Sequence, residues 1–382
     1  MSSKHNIVFL IASYGTGHRQ VALALQKAIQ MEDSSVTTEV VDFLDLVDPY
    51  FNEITQWIFM RILKYNPSLW GIFFKKTENV DIDSISHNVF NLLGSRKLIN
   101  FIKEESPKVI VCTYPIQVGV LSRLKRLKLI DNPIVSVVTD IAVHSFWLHP
   151  YVDLYIVAND SAKETLISKG VPPYKVGATG LPIDPRFLEL IDREKCLKMF
   201  GLDSTTPIIS AMMGGYGLDD KLVQVVEILS TINIPFQGIV ATGHNRRLRR
   251  LLREKVKNKK NIKVFGYIHH ARELMAISDV LITKAGGVTI AEALAMETPM
   301  ILYGIIPGHE EENAQFLINN NAALMAQNSK ELEMKINSLL TDKGLVERIK
   351  QEDRRLKRPA SAIDGARLIL KLYNARGELQ GK

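Results

Sequence analysis

The chain has 382 residues, 48 basic against 41 acidic groups for a net charge of +7, 46% hydrophobic residues and two cysteines. At roughly 150 residues per domain the length suggests two domains, and the ordinary soluble composition excludes disorder, collagen and a disulfide scaffold. With no CxxC, Cys112 and Cys196 read as free thiols in a reducing compartment, with neither a zinc site nor a disulfide framework.

The first apolar run, Ile7–Ala12, is too short for a signal-peptide core and breaks at once into Ser13-Tyr14-Gly15. No run approaches the ~18 residues of a membrane-spanning helix, so a cytoplasmic protein is expected. Further strand-like runs follow at Val36–Val41, Val109–Thr113, Ile134–Val138, Leu154–Val157, Ile208–Met212, Phe236–Ala241, Val280–Ile282 and Met300–Tyr303. Stretches of helical character such as His18–Gln30 and Ser161–Lys169 alternate with them. Continuous β-branched runs alternating with helices predict an α/β fold of parallel sheets covered on both faces. Gly180-Leu181-Pro182-Ile183-Asp184-Pro185 interrupts that rhythm, which restarts at Pro207. Two domains are predicted, 1–185 and 200–355, with a last helix at 360–376 packing back on the first.

The loop after the first strand, Ser13-Tyr14-Gly15-Thr16-Gly17-His18-Arg19, combines two glycines with a histidine at a helix start. Glycines allow a tight turn and close ligand approach. Such loops lie at the C-terminal edge of an open sheet, where ligands bind. A helix N-terminus biases His18 towards its neutral form, which suits a general base; a capping histidine in a glycine turn is the equal alternative. The spacing is neither GxGxxG nor a P-loop.

The second half repeats this strand-to-loop pattern. Ile208–Met212 runs into Met213-Gly214-Gly215-Tyr216-Gly217 before a helical stretch, a ready anion site for a diphosphate. Phe236–Ala241 runs into Thr242-Gly243-His244-Asn245, and Val264-Phe265 into Gly266-Tyr267-Ile268-His269-His270. Adjacent histidines on a helix do not face one ligand, which argues against a metal at His269-His270. Val280–Ile282 leads to Thr283-Lys284-Ala285-Gly286-Gly287-Val288-Thr289 and Glu292, whose carboxylate can accept ribose hydroxyls or sit in solvent. Met300–Tyr303 leads to Pro307-Gly308-His309-Glu310-Glu311-Glu312-Asn313, where acids opening a helix complement its dipole and the loop can bind sugar hydroxyls.

This series of loops resembles the monogalactosyldiacylglycerol synthase and processive diacylglycerol glucosyltransferase family, part of glycosyltransferase family 28, over about residues 6–340. Val138-Thr139-Asp140, His144, Trp147, Val152-Asp153 and Tyr155 carry it in the first half. The resemblance implies a GT-B fold, two Rossmann-like domains facing a cleft. It implies a UDP-sugar donor (UDP-glucose or UDP-galactose) and inverting, metal-independent transfer to diacylglycerol by a peripheral enzyme on the inner face of the membrane. Carried over by position, Gly214, Gly215 and Tyr216 lie at the diphosphate, with Gly287, Val288 and Thr289 at the phosphates. Gly266, Tyr267 and Ile268 hold the uracil, Glu292 the ribose, and His309 and Glu310 the sugar. Gly243, Asn245, Lys284 and Asn313 complete the donor set. His18 is the base, and Gly17, Asp140, His144 and Trp147 form the acceptor site. Three departures stand out: Thr16 where the family usually has glycine, Ala285 where it has proline, and His309 where it has glutamine. Asp81-Ile82-Asp83 matches a metal-binding Asp-x-Asp in letters but follows no clear strand. Related readings on the same fold are a transferase of N-acetylglucosamine to a polyprenyl-linked peptidoglycan intermediate and a UDP-sugar epimerase.

The excess charge is local. Residues 1–190 are neutral overall, while the window Arg246–Lys263 holds ten basic groups against Glu254. Arg246, Arg250, Arg253, Lys257 and Lys260 recur on one helical face. Anionic lipid, a solvated face and nucleic acid are the readings of that stripe, in that order. Trp57 and Trp70, with their aromatic and basic neighbours between Tyr50 and Lys76, form a second segment suited equally to a headgroup boundary or to packing on the first domain.

Overall fold

A computed structural model describes residues 5–13, 15–47, 61, 66–77, 95–213 and 219–380. The chain divides into two compact units, Met1–Arg186 with Pro307–His309 and Pro359–Lys382, and Phe187–Ile306 with Glu310–Arg358.

The first unit is a parallel sheet of β1 (Ile7–Ile11), β2 (Thr38–Asp42), β3 (Val109–Cys112), β4 (Ile134–Val137), β5 (Leu154–Ile156) and β6 (Val176–Gly177). The order is β2-β1-β3-β4-β5-β6. The register pairs Ile7 with both Thr38 and Val109. Every residue of β1, β3 and β4 is buried, which is why these strands read as unbroken apolar runs. Val8, Leu10, Ile110 and Cys112 face one core with Leu121 and Tyr155. Helix Gly17–Glu32 buries Val21, Leu25, Ala28 and Ile29, its three-and-four-residue apolar stripe. Helix Ser361–Gln380 packs against it, where Arg367 donates from Nε and Nη2 to the Glu32 carboxylate at 3.0 and 3.1 Å. A Cβ on Gly365 would come within 3.0 Å of Leu25 Cδ2, so glycine permits that close approach.

The second unit contains β7 (Ile208–Met212), β8 (Gln237–Ala241), β9 (Ile262–Phe265), β10 (Val280–Thr283), β11 (Met300–Leu302) and β12 (Ala323–Met325), all parallel. From one edge the order is β9-β8-β7-β10-β11-β12, the 3-2-1-4-5-6 order of a dinucleotide-binding sheet. Each sheet has one point where the winding reverses, β1/β3 in the first and β7/β10 in the second. Ligands of doubly wound sheets bind beyond the carboxyl ends of the strands at that point.

The departures from the sequence reading fall on edge strands. The second strand begins at Thr38 rather than Val36, and β6, β9 and β12 were not among the predicted runs. Among the described residues no helix is long and apolar enough to cross a membrane.

One charged group is misplaced energetically. Asp353, in helix Lys343–Leu356, is fully buried and neither carboxylate oxygen has a hydrogen-bond partner among the described residues. Burial, reinforced by Glu297, pushes its pKa up to about 8. The folded state therefore keeps Asp353 protonated where the unfolded chain ionises it, and stability falls as pH rises from the ordinary carboxylate range towards 8. Asp353→Asn is expected to leave the melting temperature nearly unchanged at pH 4 and to raise it at pH 8, by on the order of 5 °C. An equal change at both pH values, by scanning calorimetry, contradicts this.

Candidate active site

In the first unit the winding reverses between β1 and β3, and the loops after those strands meet at His18. The β1 loop turns at Gly15, whose φ of 142° favours glycine. It is tied down by Ser13 Oγ, which donates to Asp42. His18 is the second residue of helix Gly17–Glu32. Its Nδ1 lies 2.7 Å from the Thr113 carbonyl at the end of β3 and 3.2 Å from Thr139 Oγ1 beyond β4. A carbonyl only accepts, so the hydrogen-bond pattern assigns the ring proton to Nδ1 and the lone pair to Nε2. No group among the described residues hydrogen-bonds Nε2. The Tyr114 ring stands edge-on to the imidazole at 5.0 Å.

Burial is the largest influence on His18 and lowers its pKa; Asp140 and the Thr113 carbonyl oppose this, and His309 adds a smaller lowering. The neutral form is thus favoured chiefly by lost hydration. Asp140 provides negative charge where an imidazolium would form.

In the second unit the reversal lies between β7 and β10. The loop after β7 falls at 214–218, so Gly214, Gly215 and Tyr216 lie outside the described residues. After β10, Gly286 opens helix Gly287–Ala295 with no side-chain cap, which leaves the first-turn N–H groups of Gly287, Val288 and Thr289 without a capping side chain. A Cβ built on Gly286 would meet nothing within 4 Å, so this turn is open to a close approach. Lys284 pairs with the Glu310 carboxylate. The other Glu310 oxygen accepts the Ile306 N–H at 3.1 Å, and Asn313 Nδ2 donates to the Ala285 carbonyl at 3.1 Å. Glu310 and Asn313 are buried, so their side chains hold the Lys284–Gly287 turn. The resemblance placed Glu310 at the sugar and Asn313 in the donor set; both side chains here anchor the turn that precedes the donor helix. Glu292 is half-buried in the helix that follows.

On the other side of β7, Asn245 caps helix Arg246–Lys255 by accepting the Leu248 N–H at 2.9 Å, and Gly243 has φ 58°. His244 stacks on Tyr267, centroids 4.5 Å apart and 14° from parallel, and His269 meets Tyr267 edge-on at 4.9 Å. The exposed His270 instead faces Glu273 at 3.8 Å. Among the described residues one histidine–carboxylate cluster occurs, His5 with Glu39 and Glu105. His5 precedes β1, at the opposite end of that strand from His18.

Residues 18–183 match the family described as Monogalactosyldiacylglycerol (MGDG) synthase, and residues 214–366 match the Glycosyltransferase family 28 C-terminal domain. The chain is 31% identical over 353 residues to the processive diacylglycerol beta-glucosyltransferase of Bacillus licheniformis, covering 92% of this chain and 91% of the relative. The Bacillus subtilis enzyme of the same name is 30% identical over 353 residues, with the same coverage of both chains. The chain belongs to this glycosyltransferase family. Solved structures of similar fold include MurG of Acinetobacter baumannii (TM-score 0.63, 15% identity, 96% of this chain and 99% of that one). The UDP-GlcNAc 2-epimerase of Neisseria meningitidis bound to UDP-GlcNAc is another (TM-score 0.59, 10% identity, 96% and 98%). At those identities the likeness establishes the fold, a GT-B pair of Rossmann-like units.

Two residues that the family resemblance placed at the acceptor lie in the interior of the first unit. Trp147 is 3% exposed and lies in the first unit's core. His144 is buried, accepts the Phe146 N–H on Nδ1 at 3.2 Å and has Nε2 3.0 Å from the Phe74 carbonyl, so both ring nitrogens are engaged. Gly17 and Asp140 stay with His18. His309 belongs to the first unit, its ring 6.1 Å from Phe74. Trp57 and the Asp81–Asp83 triplet lie outside the described residues, as does the side chain of Trp70. Thr113 and Thr139, the groups that orient His18, carry no local signal of that role, because only the strand order brings them to it.

Proposed function

We propose that the chain transfers glucose or galactose from a UDP-sugar to diacylglycerol at a membrane surface, with inversion and without a metal. The single observation that carries the reading is the His18 arrangement: a half-buried neutral imidazole, its proton fixed on Nδ1 by Thr113 and its Nε2 lone pair unengaged. Nε2 would take the proton of the acceptor hydroxyl as its oxygen attacks the anomeric carbon. Asp140 would stabilise the imidazolium that results. Attack from the face opposite the leaving UDP inverts the centre. The negative charge developing on UDP would meet the uncapped amides of Gly287, Val288 and Thr289. Those amides and Lys284, held by Glu310, supply the charge stabilisation that a metal provides elsewhere. The names of the relatives, processive diacylglycerol beta-glucosyltransferases, favour glucose and a processive reaction.

The direct test is UDP release in EDTA. Release that requires diacylglycerol supports transfer. Conversion of UDP-N-acetylglucosamine without acceptor would favour an epimerase, and labelling of a polyprenyl lipid a peptidoglycan transferase.

A surface role fits helix Arg246–Lys255. Arg246, Arg247, Arg250, Lys257 and Lys260 are exposed and form no ion pair among the described residues. Other members of the run are engaged: Arg253 with the Val264 carbonyl, Lys255 with Glu227 and Lys259 with the Ser230 carbonyl. Arginines in the first turn oppose the helix dipole, a local cost that an anionic surface would offset. Arg246→Glu/Arg250→Glu is expected to reduce sedimentation with phosphatidylglycerol vesicles at least tenfold. It should leave binding to neutral vesicles unchanged. Undiminished sedimentation contradicts the docking role, and tight salt-dependent binding of duplex DNA would restore the nucleic-acid reading.

A further inference from the structure

We propose that Arg249 reads the base of the donor nucleotide and selects uracil over cytosine; this rests on the donor-site reading above. Arg249 stands apart from its neighbours. Arg246, Arg247 and Arg250 are exposed, whereas Arg249 is half-buried. A Cβ placed on Gly266 would lie 2.8 Å from Arg249 Nη1, 3.8 Å from its Cδ and 3.6 Å from the Gly243 carbonyl oxygen. The guanidinium therefore lies along the Gly266 backbone, between the loops that follow β8 and β9. The absence of a side chain at Gly266 is what admits it.

Among the described residues Arg249 has no ion pair and no hydrogen bond. A half-enclosed guanidinium without an acceptor is costly, and such local conflicts are retained where a ligand resolves them. The same two loops hold the stacked His244 and Tyr267 rings. A flat ring pair and a guanidinium without a partner among the described residues, held by the same two loops, fit a flat ligand that presents carbonyl acceptors. Uracil presents two ring carbonyls. Cytosine replaces one of them by an amino group, which would meet the guanidinium donor to donor. Discrimination would therefore come from repulsion of the wrong base as well as attraction of the right one.

The test is calorimetric binding of UDP and CDP, with steady-state kinetics, on wild type, Arg249→Ala and Arg249→Met. The Met variant keeps an unbranched stem over Gly266 should the Ala variant fold poorly. The expected result is a UDP dissociation constant and a UDP-sugar KM raised at least tenfold, kcat within about threefold, and the UDP/CDP preference reduced at least tenfold. A purely structural role would lower the melting temperature and leave the UDP/CDP preference intact. A folded variant with unchanged UDP affinity and unchanged preference overturns the inference. Wild type that binds neither nucleotide overturns the donor-site reading itself, and the inference with it.

Discussion

Replacing His18 with alanine is expected to cut glycosyl transfer by about 10²–10⁴-fold while the protein stays folded and UDP affinity stays within about twofold. The expectation follows from position. His18 sits where the first sheet reverses its winding, and its Nδ1 is held by Thr113 at 2.7 Å. The variant removes the lone pair and leaves the second unit's nucleotide loops untouched. The pH profile is a separate check. Burial pulls the His18 pKa down, so the imidazole is neutral at pH 7 and becomes protonated only below its ordinary value of about 6.5. The acid limb of kcat/KM should lie below that value and vanish in the variant's residual activity. Asp140→Asn, which removes the carboxylate's opposing pull, should move the limb further towards acid. A limb that stays in place in Asp140→Asn, or full activity in His18→Ala, removes His18 from the base role.

The second large effect is expected at Glu310. Its carboxylate is almost wholly buried, takes Lys284 on one oxygen and the Ile306 N–H on the other. Glu310→Ala leaves the Lys284 cation without its partner. Removing one member of a buried pair costs about 3–5 kcal/mol; the lower figure applies here because the Lys284 side chain retains 25% exposure. The melting temperature should fall by roughly 10 °C, and the donor KM should rise at least tenfold as the Lys284–Gly287 turn loses its anchor. If Glu310 instead touched the sugar directly, kcat would drop with the melting temperature unchanged. Thermal denaturation alongside steady-state kinetics separates these outcomes.

The contrast between these two residues shows what a sequence makes visible. His18 was legible because a strand, a glycine turn and a histidine at a helix start are adjacent in the chain. The groups that make it a base are not: Thr113 and Thr139 lie about a hundred residues away and reach it only because β3 and β4 follow β1 in the sheet. Glu310 was legible as an acid opening a helix, and the dipole argument was sufficient for that pattern. Its burial beneath Lys284 depends on β10 and β11 being neighbours. The central strands β1, β3, β4 and β7 announce themselves because neighbours on both sides and helices on both faces demand apolar runs. β6, β9 and β12 border their sheets with one neighbour each, so weaker runs suffice, and the misread start of β2 is another edge. Trp147 and His144 carry a different lesson. Their burial follows from the fold and could not be read from the motif that contains them.

The most direct measurement is mass spectrometry of the lipid products, with anomeric configuration by NMR, after incubation with diacylglycerol in anionic vesicles and either UDP-glucose or UDP-galactose, in EDTA. Inverting transfer predicts hexosyl-diacylglycerol with a β-anomeric linkage from at least one donor. Absence of hexosyl-diacylglycerol with both donors, or an α-linked product, would contradict it.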